Sequence, residues 1–154
     1  MFIEPLVPQP RAFIFGAGHI SKSLAQVLGL SGFAVEVIDD RESFANPERF
    51  PTADAVHAGE YEEIFPKLSI NPTSYVVIVT RGHRDDMRVL RLAVSTPARY
   101  IAMVGSKRKV ISTIKELEKE GLARELFDKI HAPMGLDIGA ITPEFIDVVA
   151  VADI

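Results

Sequence analysis

Four short stretches hold the residue types that could do chemistry, and each ends or follows an apolar run. Gly16, Gly18 and His19 follow the first, and Asp39, Asp40 and Arg41 end the second. Thr80, Arg81, Gly82, His83 and Asp86 leave the third, while Ser106, Lys107, Arg108 and Lys109 leave the fourth. A Gly-x-Gly turn between a strand and a helix makes room for a phosphate. The first glycine permits the tight turn and the second lets backbone approach the ligand. The helix start adds unpaired amides and the positive end of its dipole. Ser21 holds the third fingerprint position, where a small side chain allows close helix packing. An acid about 20 residues further on commonly accepts from a ribose hydroxyl. Asp39 stands there, and Arg41 beside it leaves room for a phosphate instead.

The cations at 107–109 open a helical pattern, where positive charge opposes the dipole unless an anion offsets it. Together with His19, Arg81 and His83 they point to a polyanionic ligand at one rim. Charge reversal at Lys107 and Lys109 is therefore expected to weaken binding of a phosphorylated ligand while leaving the fold intact. His83 and Asp86 also admit a local pairing, and a metal reading would rest on two ligands, fewer than a zinc site usually has. His57 and His131 have no comparable context.

These residues need a frame that brings strand ends together. Strands are predicted at 12–15, 34–39, 75–80 and 100–105, with a shorter one at 55–57. The first, third and fourth are nearly continuous apolar runs, as in a parallel sheet covered on both faces. Helical stripes run through Ile20, Leu24, Val27 and Leu28, through Met87, Leu90 and Val94, and through Val110, Ile114 and Leu117. A further helix is expected near 60–68. Another would start at Thr142 and Pro143 and bury Phe145, Val148, Val149 and Ala152. The alternation predicts an α/β fold: a Rossmann-like, doubly wound, mostly parallel sheet with helices on both faces. One domain over 1–154 is expected, with an extended lead-in at 1–10 and an irregular site loop at 122–142. The ligand crevice should lie beyond the carboxyl ends of the first strand and of 75–80.

Composition narrows the function classes. Hydrophobic residues at 47% and charged residues at 25% exclude a disordered chain. No apolar run approaches the roughly 18 residues of a membrane span, and the first residues lack a signal-peptide pattern, so a cytoplasmic protein without membrane association is expected. Cysteine is absent, which removes disulfides, thiolate metal sites and cysteine nucleophiles. The net charge of −4 argues against a general nucleic-acid binder.

The stretches "FIFGAGHIS", "VIDDRESFANPERFPTAD", "VIVTRGHRDDMRVL", "MVGSKRK" and "HAPMGLDIGAITPE" resemble, in that order, the C-terminal Rossmann domain of xanthine dehydrogenase accessory proteins of the XdhC/CoxI type. The resemblance runs from about residue 11 onward. It implies a non-catalytic accessory module that binds molybdenum cofactor (molybdopterin or its nucleotide form) and passes it to a molybdenum hydroxylase apo-enzyme. By resemblance, Gly16, Gly18 and His19 form the phosphate turn, and Asp39, Asp40 and Arg41 meet the far end of the ligand. Thr80, Arg81, His83, Asp86, Ser106, Lys107 and Lys109 line the cleft, and Gly135, Asp137, Gly139 and Thr142 shape a closing loop. Family members carry an additional N-terminal domain, often with cysteines, that these residues do not match. Sulfur transfer would then need a separate accessory chain or sulfurtransferase. A homodimer is among the expected states. An NAD(P)-dependent oxidoreductase and a dinucleotide-sensing module are the alternatives that Gly16, Gly18 and Asp39 leave open.

Overall fold

Alternation decides where each residue of β1 (Arg11–Phe15) goes: Phe13 and Phe15 face one side, Ala12 and Ile14 the other, and all four are sealed from solvent. A strand buried on both faces must lie inside a covered sheet. The computed structural model, which describes residues 1, 3 and 7–135, places it there. Strands β2 (Ala34–Asp39), β3 (Ala55–Ala58), β4 (Ser74–Ile78), β5 (Tyr100–Met103) and β6 (Ile130–His131) complete a sheet of order β3-β2-β1-β4-β5-β6. Every pairing is parallel. This is the Rossmann order, and it reverses between β1 and β4.

Right-handed crossovers then fix the two layers. Helix α1 (His19–Leu30) buries Leu24, Ala25 and Leu28 against Ala12, Ile14, Val35 and Val37. On the opposite face α2 (Tyr61–Ile64), α3 (His83–Ala93) and α4 (Lys107–Lys119) bury Tyr61, Leu90, Val110 and Leu117 around Phe13, Phe15, Val76 and Ile78. Each fully buried side chain of this size contributes about 1.5–3 kcal/mol of transfer free energy. Phe15 also stacks on Phe65 at 5.4 Å. The crossover from β2 to β3 is a loop, because Pro47 and Pro51 remove the amide donors a helix there would need. Phe44, Ala45 and Phe50 still cover the α1 face.

One expectation is corrected. The stretch from 122 is not simply irregular: it forms a 3-10 turn at Arg124–Phe127, buries Phe127, and supplies the edge strand β6. A two-residue strand carries too little alternation to be seen in sequence. The remainder of that stretch beyond Gly135, and the helix expected from Thr142, lie outside the described residues. No helix among the described residues is long and apolar enough to cross a membrane.

Candidate anion-binding site

The glycine turn is shaped by a close approach of two strand ends. Gly16 has φ +110°, and a Cβ there would stand 2.3 Å from the carbonyl oxygen of Val79, so only glycine fits. Its N–H donates to Ile38 O at 2.7 Å, and its own carbonyl accepts from the buried Ser21 hydroxyl at 2.5 Å. Ser21 therefore does more than stay small: it hooks α1 onto the turn. Gly18 differs. Its φ is −80°, and a Cβ on it would meet nothing within 4 Å. Helix α1 starts there without a side-chain cap, with His19 exposed on its first turn. Open space beside uncapped amides suits an anion.

Asp39 turns inward. Oδ2 accepts from the Ala17 N–H at 2.8 Å and from Arg41 Nη2 at 2.9 Å. Oδ1 accepts from the Arg41 N–H at 3.0 Å and from Arg41 Nε at 2.8 Å. Burial pushes this carboxyl up, but the hydrogen bonds from Arg41 and the two backbone amides outweigh it and hold it below the ordinary carboxylate range. The acceptors of Asp39, expected to meet a ribose, are here spent on the chain itself. Asp40 is pushed the other way, by burial and by the neighbouring Asp39 carboxylate, with Arg81 partly offsetting both. Arg81 donates to Asp40 Oδ2 at 2.9 Å and to Asp85 Oδ2 at 3.2 Å, which ties the end of β2 to α3. Asp40 Oδ1 is buried with no hydrogen-bond partner among the described residues.

Beyond β4, Thr80 donates to Asp86 Oδ1 at 2.5 Å, and Asp86 pairs with the Lys109 ammonium across the sheet edge. Asp86 is fully buried, so this pair joins β4, α3 and α4 from within. Gly105, at φ +158°, leaves room for the stem of Lys109 to lie back over the turn. Ser106 caps α4 by accepting from the Lys109 N–H at 3.2 Å. His83 is also corrected: its partner is not Asp86 but α4, through Glu116 Oε2 and Thr113 Oγ1, each at 3.1 Å. With Arg84, Met87, Arg88, Arg91 and Glu116 it lines a groove of about 510 Å³.

The strand ends do assemble the predicted residues at one edge, but the rim is less basic than the sequence suggests. Arg41, Arg81 and Lys109 are each bonded to carboxylates, whereas Lys107 and Arg108 are exposed with no ion pair among the described residues. Lys109 answers Asp86, which supplies part of the offsetting charge that the cations at the start of α4 require. Reversing Lys109 would therefore strike the fold, contrary to the expectation above. Asp137, Gly139 and Thr142 lie outside the described residues. Sequence reasoning missed Phe44 and Arg49. The Phe44 ring meets two guanidinium groups, with its centroid 3.7 Å from the guanidinium carbon of Arg41 and 4.9 Å from that of Arg49. Arg49 donates to Ala17 O at 3.2 Å, beneath the glycine turn. Their loop has no periodicity to mark them.

Comparison with known proteins adds to this geometry. Residues 12–154 match the XdhC Rossmann domain family. The chain is 33% identical over 155 residues to YqeB of Escherichia coli K12, aligning along its whole length with 28% of that protein. It is 29% identical over 154 residues to a probable xanthine dehydrogenase subunit of Bacillus subtilis 168, and spans 44% of it. The crystal structure of a xanthine dehydrogenase from Bacillus halodurans superposes with a TM-score of 0.82 at 29% identity, over 94% of this chain and 41% of that one. The chain thus spans less than half the length of each of these proteins.

Proposed function

The chain belongs to the XdhC Rossmann-domain family, and from that premise we propose that it is an accessory binding module for the maturation of xanthine dehydrogenase-type molybdenum hydroxylases. Its cargo is molybdopterin-type cofactor. The observation that carries the reading is the turn at Gly18, where open space faces an uncapped helix start. Those amides would hold the phosphate of the cargo, with His19 exposed on the same turn and the cations Lys107 and Arg108 exposed at the start of α4. The cargo itself supplies molybdenum redox chemistry to the enzyme that receives it. This chain binds and orients. These residues include no cysteine, so sulfur transfer would fall to groups outside them. The nicotinamide alternative has the glycine turn in its favour but loses its acid, because Asp39 is already saturated.

The test is gentle purification from a cofactor-producing host, with molybdenum measured by mass spectrometry and pterin by fluorescence after oxidation. Wild type is expected to carry both. Gly18→Val, which fills the open space, should lose both while remaining folded, with only a small drop in unfolding temperature from the poorer N-cap. A wild-type protein devoid of molybdenum and pterin that also takes up no added cofactor would overturn the proposal.

A further inference from the structure

A ribose grips an acid at the end of the second strand through its two neighbouring hydroxyls, each donating to the carboxylate. Asp39 holds that position, and the chain has already made the equivalent bonds. Arg41 donates through Nε to Oδ1 at 2.8 Å and through Nη2 to Oδ2 at 2.9 Å, while the backbone amides of Arg41 and Ala17 take one more site on each oxygen. An ionised carboxylate offers about four lone-pair sites, and all of them are used. The Asp39 side chain is 2% exposed. A guanidinium fork and a vicinal diol present the same pair of parallel donors, so one can stand where the other would. Arg41 is held there by the ring of Phe44, 3.7 Å from its guanidinium carbon. Arg49 also contacts that ring and donates to Ala17 O, fastening the loop to the glycine turn.

We infer that Arg41 is a specificity-determining residue: it fills the ribose-diol position at the end of β2 while the glycine turn beside it stays open, so the site takes compact phosphorylated ligands and discriminates against dinucleotides. The inference rests on the glycine turn being the anion site proposed above. It favours the phosphomonoester form of the pterin cargo over its nucleotide conjugate. The energetic reason is an unequal exchange. A diol would replace a bidentate pair of opposite charges with bonds in which only the carboxylate is charged, and would also strip a cation from an aromatic face.

Calorimetric titration of the chain with inorganic pyrophosphate, ADP and dideoxy-ADP, which lacks both ribose hydroxyls, tests this directly. Wild type should bind the two nucleotides within about twofold of each other. Arg41→Ala, which frees Asp39, should prefer ADP over dideoxy-ADP by about tenfold and keep its pyrophosphate affinity. Arg41→Gln keeps one donor on Asp39 and should show a smaller preference, so it serves if the alanine variant does not fold. A preference of about tenfold for the diol in wild type, or none in the variants, overturns the role of Arg41. Failure of pyrophosphate to bind any of the three proteins overturns the glycine-turn reading and this inference together. Pyrophosphate binding with a diol preference already present in wild type overturns this inference alone.

Discussion

Gly16 and Gly18 stand two positions apart and are glycine for different reasons. At Gly16 the backbone lies at φ +110° and a Cβ would meet the Val79 carbonyl at 2.3 Å, so the requirement is internal. Gly16→Ala should destabilise the fold by about 3 kcal/mol or more, from backbone strain and displaced strand ends. Gly18→Ala, in ordinary backbone and open space, should stay within about 1 kcal/mol of wild type. Urea unfolding of the two variants separates the roles, and equal losses would contradict them. Asp39 makes a prediction of known sign. Its folded pKa lies below the ordinary value of 3.8, so near that pH the unfolded chain binds more protons than the folded one. The stabilisation is fully present above the unfolded pKa and is lost as pH falls through the folded pKa. Asp39→Asn should be less stable at neutral pH and show a flatter acid limb below about pH 4. Thermal unfolding against pH would reveal an unchanged acid limb if Asp39 made no contribution.

Elements were readable where a period was long enough to repeat. The run at 34–39 became β2 with those bounds, and Leu24 and Leu28 of the first stripe are buried in α1. β6 was not readable, because two residues show no period. The site was half readable. The stretches that follow the strands lie at one edge, but the partners of several charges lie far away in sequence. Arg81 and Asp40 are 41 positions apart, and His83 and Glu116 are 33 apart. Only the crossovers bring such pairs together, so a count of local cations overstated the free charge. Lys109 shows the consequence at the scale of elements, since it bonds the buried Asp86 that also anchors Thr80. Lys109→Met should cost about 1–3 kcal/mol by leaving a buried carboxylate short of a partner. Adding Asp86→Asn should recover part of the loss in urea unfolding. Strict additivity of the two changes would show that the pair does not couple α3 to α4.

Across the whole molecule the charge is −4, yet the edge that carries the glycine turn keeps Lys107 and Arg108 outside any ion pair among the described residues. The acids there are committed: Asp39 to Arg41, Asp40 and Asp85 to Arg81, and Asp86 to Lys109. Internal pairing thus cancels most of the field at this edge and leaves its remainder positive. An incoming phosphate would feel those two exposed cations through solvent. Exposed charges act over roughly a Debye length, about 8 Å at physiological salt, and each contributes about 0.2–1 kcal/mol. Lys107→Glu combined with Arg108→Glu should therefore weaken pyrophosphate binding about three- to tenfold at low salt. The difference from wild type should fade towards about 1 M salt, where screening is complete within a few ångströms. Because neither side chain holds a buried partner, the unfolding temperature should not move, in contrast to Lys109→Met. A loss of binding that persists undiminished at high salt would mean that these side chains touch the ligand rather than steer it. No loss at low salt would place the anion elsewhere on the molecule.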